Sequence, residues 1–246
     1  MIETESFLLL LLMIAVMATL YSSVGHGGAS GYLAAMALFG LAPDMMKPAA
    51  LTMNLFVASL VLFRLSRAHY FSWRIFIPLA AASMPMAFWG GSLMPETTTY
   101  QYIVGGALLL AAIHFFIKIK NEDDCVEPRL TIAIPVGAAL GFVSGLTGVG
   151  GGIYLSPLLL WLRWTKMRTN AAIAAAFILV NSVAGLAGHV MTLNTWPADI
   201  EWFVIVGLLG AVVGSELAVR RLAPPILRQL LGVVLVIAGV KMVMTV

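Results

Sequence analysis

Two glycine-rich runs with hydroxyl groups beside them are the residues of this chain best suited to bind a ligand. The first run is GHGGASG at residues 25–31, and the second is GLTGVGGG at residues 145–152. Glycine lets consecutive backbone N–H groups converge on one point. A helix that begins directly after such a run adds the partial positive charge of its N-terminus. The runs therefore predict sites for a small anion, with Ala29 and Gly152 opening the helices that follow.

The predicted binding residues are the glycines of the two runs and the polar side chains near them. They are Ser22, Ser23, Gly25, His26, Gly27, Gly28, Asn54, Ser144, Thr147, Gly148, Gly150, Gly151, Gly152 and Asn181. The hydroxyls would donate to an oxyanion. The mid-segment amides of Asn54 and Asn181 would either orient the guest or hydrogen-bond a neighbouring helix. Close helix packing is the alternative explanation for the glycines, because small residues let membrane helices approach each other.

His26 lies in the first run, at the position where the second run has Val149. A protonated imidazole there would attract an anion and could couple its movement to protons. A neutral ring bonded to a backbone carbonyl is the alternative. The sequence has no Walker A lysine, no His-Glu-x-x-His and no Gly-x-Ser-x-Gly. Its single cysteine, Cys125, excludes a cysteine-based metal cluster. We therefore expect no enzymatic activity, no metal and no cofactor.

Apolar segments must position these residues. The chain has 246 residues, of which 61% are hydrophobic and 10% charged, whereas soluble domains carry about 25% charged residues. The mean hydropathy is +0.99. Unbroken apolar runs favour helices that cross a bilayer over the alternating strands of a barrel. The net charge of +3 comes from basic residues in short loops, which orient a membrane protein and do not indicate a nucleic-acid partner.

An internal repeat divides the chain into two halves. A shift of 123 residues, the difference between Gly25 and Gly148, aligns them. The same shift places Gly27 on Gly150 and Gly28 on Gly151. We predict a first transmembrane repeat at residues 1–120, a cytoplasmic linker at 121–128 and a second transmembrane repeat at 129–246. The segments 29–42 and 152–162, which follow the glycine runs, are short for a full span.

Basic residues predict the orientation of the two repeats. They cluster near residues 64–74, 118–129, 163–168 and 220–228. The positive-inside rule places these loops in the cytoplasm, and the N-terminus and the loop near Glu96 outside. The first repeat then starts outside and the second inside. The predicted fold is an all-α polytopic membrane protein with two inverted-topology repeats. Each has a Gly-broken helical hairpin, crossing fully or re-entrant, plus about three full spans. Inverted repeats hold a substrate near the midplane, between half-helix ends.

The stretch GFVSGLTGVGGG at residues 141–152, running on to Pro157-Leu158-Leu159, resembles the signature of the sulfite exporter TauE/SafE family, part of the TSUP superfamily. The copy at residues 25–31 and the stretch FSWR at 71–74 look similar to it. The first copy departs from the family pattern at His26 and at the YSS of residues 21–23. The resemblance implies a transporter of the bacterial inner membrane that moves sulfite, sulfoacetate or a related organosulfonate, more often outward.

The predicted function is secondary transport of a small sulfur-containing anion by alternating access. A channel-like pore for an anion or solute is one alternative, and a non-transporting membrane assembly protein is another. The predicted partners are the anionic substrate and the lipid bilayer, with protons as a candidate coupling ion. The protein would act as a monomer or a homodimer.

Overall fold

The part of the chain that the structure describes is entirely helical. The computed structural model describes residues 4–116, 125–191, 199–220 and 225–244, and these ranges contain no strand. The helices are α1 (Thr4–Ser23), α2 (Ala29–Leu38), α3 (Pro43–Arg67), α4 (Trp73–Ser92), α5 (Thr97–Phe116), α6 (Leu130–Thr147), α7 (Gly152–Trp161), α8 (Met167–Val190), α9 (Ile200–Arg220) and α10 (Pro225–Met244). The predicted all-α class is confirmed. The predicted linker at 121–128 lies partly outside the described residues, which resume at Cys125.

Helix length separates spanning helices from half-length ones. Six described helices are long and apolar enough to cross a membrane, namely α1, α3, α4, α6, α8 and α9. In contrast, α2 and α7 have 10 residues each. At about 1.5 Å per residue, such a helix covers roughly half of a 30 Å hydrocarbon core. Ala29 and Gly152 open these two short helices, as the glycine runs predict.

Sharp turns precede both short helices. Gly28 and Gly151 occupy the N-cap positions with φ of 99° and 75°, a left-handed conformation that side chains disfavour. After the first turn α2 packs against α1, whereas after the second turn α7 packs mainly against α8. The Ser30 hydroxyl donates to the Tyr21 hydroxyl at 2.9 Å across the first turn, and Gly151 lies against the Ser144 side chain across the second. Each glycine run is therefore a sharp turn between two helices, and we refer to each such unit as a hairpin.

The central helices α3 and α8, which correspond to each other under the repeat, run antiparallel. Asn54 donates to Ser182 at 3.2 Å. Further along α3 and further back along α8, Leu65 clusters with Ala172. Contacts of this kind pair the end of one helix with the start of the other. The arrangement places Asn54 in the middle of the helix bundle, where its side chain is fully buried.

The other corresponding pair, α5 and α10, is also antiparallel. Gly105 lies against Met242 and Val243, near the end of α10, whereas Phe116 at the end of α5 lies against Gly232. In both pairs, α3 with α8 and α5 with α10, a helix therefore packs against its counterpart in the other half.

Parallel pairs flank these central helices. On α6, Gly137, Gly141 and Gly145 lie against backbone oxygens of α4 that advance in step, from Leu79 through Ser83 to Ala87. In the same way, Gly210 and Gly214 of α9 lie against the backbone oxygens of Ala15 and Thr19 of α1. Exchanging the two halves converts one pair into the other. The glycines let the backbones of these helices approach closely, as small residues do between membrane helices.

Candidate functional site

The two glycine runs meet at the amide of Asn54. A Cβ atom added to Gly27 would lie 3.0 Å from Asn54 Oδ1, and one added to Gly150 would lie 2.7 Å from Asn54 Nδ2. Both added atoms would also lie 2.9 Å from Cγ2 of Ile178 on α8. Two residues that are equivalent under the repeat therefore border the same side chain from the two hairpins.

Some of the backbone N–H groups in the two glycine runs have no hydrogen-bond partner among the described residues. The N–H groups of Gly25 and His26 bond back to carbonyls at the end of α1. Those of Gly27, Gly28, Gly150 and Gly151, by contrast, make no hydrogen bond to any other described residue. The first N–H groups of α2 and α7 likewise have no intrahelical acceptor, as at any helix N-terminus. Each hairpin thus brings a set of available donors towards the Asn54 amide.

Four of the predicted polar side chains carry a buried atom without a partner. Within the described part of the chain, Oγ of Ser22 and Ser144 and Oδ1 of Asn54 and Asn181 make no hydrogen bond. The amide nitrogens are used, since Asn54 donates to Ser182 and Asn181 donates to the Phe177 carbonyl at 2.9 Å. Buried polar atoms are paired in most proteins. Four unpaired atoms near the hairpins therefore favour a bound ligand or water there.

Two predicted hydroxyls are already engaged within their own helices. Ser23 donates to the Leu20 carbonyl at 2.7 Å. Thr147 donates to the Val143 carbonyl at 2.7 Å and accepts from the Val149 N–H at 3.3 Å. These bonds lie in the last turns of α1 and α6. A ligand that contacts either hydroxyl would have to replace or share them. Substrate binding by these two residues stays a prediction.

His26 joins the first glycine run to the second hairpin. Its ring is 4% exposed, and Nε2 shares a hydrogen bond of 2.8 Å with Ser156 Oγ on α7. The alternative expected from the sequence, a bond to a backbone carbonyl, is not the contact made by this ring nitrogen. Proton coupling through His26 stays a prediction.

The remaining predicted glycines hold helices close together. Gly25 lies against Ala171 at the start of α8, and Gly148 lies against the backbone of Lys47. A Cβ atom added to Gly152 would lie 2.5 Å from Ile178. For these three positions the packing explanation accounts for the residue type.

Lys47 is a buried charged residue near the second glycine run that the sequence analysis did not identify. It is 4% exposed, and its Nζ donates to the carbonyls of Gly91 and Leu93 at 2.8 and 3.1 Å. A signal was available, because Lys47 is a basic residue near the start of α3, on the side that the positive-inside rule assigns to the outside. A lysine there is not explained by topology.

No group of three His, Cys, Asp or Glu residues is placed to hold a metal ion within the described ranges. Cys125 is exposed at the point where the described residues resume after the linker. The polar groups of the candidate site are hydroxyls, amides, backbone N–H groups and the His26 ring.

The chain is similar to known membrane transporter proteins over most of its length. A family profile described as "Sulfite exporter TauE/SafE" matches residues 9–242. The chain is 35% identical over 232 residues to "Probable membrane transporter protein y4hK" of Sinorhizobium fredii, covering 92% of this chain and 94% of that protein. It is 29% identical over 272 residues to "Probable membrane transporter protein MJ0441" of Methanocaldococcus jannaschii, covering 99% and 98%. No solved structure matches the chain.

Proposed function

The chain belongs to the sulfite exporter TauE/SafE family, and we propose that it carries a small sulfur-containing anion across the bacterial inner membrane by alternating access. It is a multi-pass membrane transporter and not an enzyme. The proposed substrates are sulfite, sulfoacetate and related organosulfonates. The family description supports export as the direction.

The observation that carries this proposal is the meeting of the two hairpin tips at Asn54. Hydroxyls of Ser22 and Ser144 and the unpaired backbone N–H groups are donors for the oxygens of an anion. Hydrogen bonds to a charged acceptor are about twice as strong as neutral ones. The amide oxygens of Asn54 and Asn181 are acceptors. A guest that carries a hydrogen-bond donor beside its anionic oxygens, such as hydrogensulfite or a hydroxy- or amino-sulfonate, would satisfy both sets.

We propose that the halves are inverted repeats that rock around this site. The antiparallel packing of α3 on α8 and of α5 on α10 supports an axis that lies in the membrane plane, because each helix points opposite to its counterpart. The moving units would be residues 1–120 and 129–246, joined by the linker at 121–128. Transporters of this kind bind substrate near the midplane between half-helix ends, and in this proposal the ends that face the substrate are the starts of α2 and α7.

Flux through proteoliposomes tests the function. The full chain would be reconstituted and offered sulfite, thiosulfate, sulfoacetate, taurine, isethionate and acetate in turn. A carrier gives saturable uptake of at least one sulfur anion, accelerated by the same anion on the opposite side. Rapid flux that stays linear with concentration would show a channel-like pore. No flux with any anion would favour a membrane assembly protein.

Asn54→Leu tests the site. Leucine has a similar volume but removes the amide, so the acceptor that Asn54 Oδ1 offers the guest is lost, which leaves a donor of the guest unpaired at a cost of about 1–3 kcal/mol. We expect exchange at low anion concentration to fall at least about tenfold. The matched control is Ser59→Ala on the same helix, where the exposed hydroxyl bonds only to the Leu55 carbonyl. Both variants would be checked for folding by thermal unfolding. Unchanged exchange in Asn54→Leu would place the site elsewhere.

A further inference from the structure

A pocket opens at the end of the molecule where α3 begins and where α4 and α8 end. Asp44 and Lys47 of α3, Thr97 and Tyr100 of α5, His189 of α8 and residues 93–95 line it. Its empty volume is about 380 Å³, including the opening to solvent. The distribution of basic residues assigns this end to the outside. We refer to it as the Lys47 pocket.

Lys47 brings a positive charge into this pocket without a carboxylate partner. Two of its three ammonium N–H groups are used by the carbonyls of Gly91 and Leu93, which leaves one for a ligand. The ion pairs found among the described residues, Arg64–Glu216 and Arg74–Glu127, lie elsewhere. Asp44 lines the same pocket, is exposed, and forms no ion pair with Lys47. Because a buried charge is costly when it has no counter-charge, a small anion would complete this arrangement.

The Lys47 pocket lies beside the second glycine run. Cα of Lys47 would lie 3.3 Å from a Cβ atom added to Gly148, and the Tyr100 hydroxyl donates to the Thr147 carbonyl at 3.1 Å. Lys47 and Asn54 are seven residues apart on α3, which is two turns along one face and about 10 Å. An anion bound at Lys47 would therefore have to move only about 10 Å to reach the Asn54 amide.

The position equivalent to Lys47 in the other half carries no charge. The shift of 123 residues that aligns the glycine runs places Lys47 on Asn170. Asn170 is 3% exposed and neutral. The packing of both repeats therefore does not require a lysine at this position, although the helices of the two halves otherwise correspond.

From these observations we infer that Lys47 forms a second anion subsite, at the outer mouth of the transport path, for the same small oxyanion that reaches Asn54. This inference rests on the proposed function. The alternative is that Lys47 only caps the carbonyl end of α4.

The test combines three substitutions whose expected effects differ. Lys47→Gln removes the charge, and we expect the affinity for sulfite to fall at least tenfold. Asp44→Asn removes the opposing charge without touching the carbonyl bonds, and we expect the affinity to rise about twofold to fourfold. Lys241→Gln is the matched control, because Lys241 also donates to a helix-end carbonyl, that of Leu38 at 2.7 Å, and does not line the pocket. We expect no change in affinity there.

Sulfite binding to the full chain in nanodiscs would be measured by calorimetry, and equilibrium sulfite exchange in proteoliposomes would be measured beside it. Unchanged binding and exchange in Lys47→Gln, with the wild type transporting sulfite, would overturn the subsite and leave the proposed function intact. Equal losses in Lys47→Gln and Lys241→Gln would show a merely structural role. If Lys47→Gln does not fold, Asp44→Asn decides, and an affinity that does not rise overturns the inference. A wild type that neither binds nor exchanges sulfite would overturn the subsite together with its premise.

Discussion

At the scale of single residues, the hydroxyls beside the glycine runs divide into two kinds. Ser22 and Ser144 are buried with unpaired oxygens, whereas Ser23 and Thr147 bond to their own helices. A hydroxyl without a protein partner adds nothing to folding that alanine would not, because its burial costs free energy. A hydroxyl that closes a helix end stabilises the fold. The two kinds should respond differently to substitution.

Ser144→Ala and Thr147→Val separate binding from stability. We expect Ser144→Ala to lower the affinity for the transported anion about threefold to tenfold, because one hydrogen bond is lost. The unfolding temperature should stay the same or rise slightly. We expect Thr147→Val to destabilise the protein by about 1 kcal/mol, because the Val149 N–H loses its partner and the Val143 carbonyl loses one of its two donors. Calorimetric binding and thermal unfolding in detergent measure the two effects. A loss of stability in Ser144→Ala would show that its oxygen has a structural partner.

Sequence reasoning finds residues whose type is unusual for their surroundings. Dense glycine runs and mid-membrane amides stand out in an apolar chain, so Gly27, Gly150 and Asn54 could be identified from the sequence. Their meeting at one amide could not, because it depends on the packing of α3 against α8 across 128 residues of sequence. Lys47 is not evident from the sequence for another reason. Basic residues in an apolar chain indicate loops, whereas this lysine lies within α3, directly before Pro48.

At the level of the helices, some glycines let the chain turn sharply and others let two helices pack closely. The turns precede α2 and α7, and their positions follow from the sequence because the runs are dense. The contacts of α6 on α4 are less evident, since three glycines at intervals of four residues fit many interfaces. In the structure, Gly141 faces the Ser83 carbonyl so closely that a Cβ atom has no space.

Gly141→Ala should therefore weaken the α4–α6 contact. The added methyl group meets backbone, which cannot rotate away, so the two helices must separate. We expect a loss of about 1–3 kcal/mol, as for overpacked cores. Gly106→Ala on α5 is the control, because nothing lies within 4 Å of its added Cβ atom, and alanine is the better helix former. Thermal unfolding of both variants measures the difference. Equal stability would mean that α6 does not pack on α4 through this face.

In the molecule as a whole, the two halves contact each other through corresponding helices, α3 with α8 and α5 with α10. Each central helix packs against the corresponding helix of the other half and runs opposite to it. In a bundle built this way, the proposed site would be shared by both hairpins and would not be duplicated in each half. The correspondence of the halves could be read from the glycine spacing. Their antiparallel packing needed the contacts, because the sequence indicates orientation only through the charges of its loops.

Cysteine labelling tests whether the repeats are inverted in the membrane. Cys125 is exposed five residues before α6, the first helix of the second repeat. Glu5 is exposed at the start of α1, the first helix of the first repeat. We expect a membrane-impermeant maleimide to reach Cys125 only in inside-out vesicles. In a Cys125→Ser background, we expect Glu5→Cys to react only in spheroplasts. Cys125→Ser alone gives the background. Reaction of both positions from the same side would mean parallel repeats, and a shared site between oppositely directed half-helices would then lose its basis.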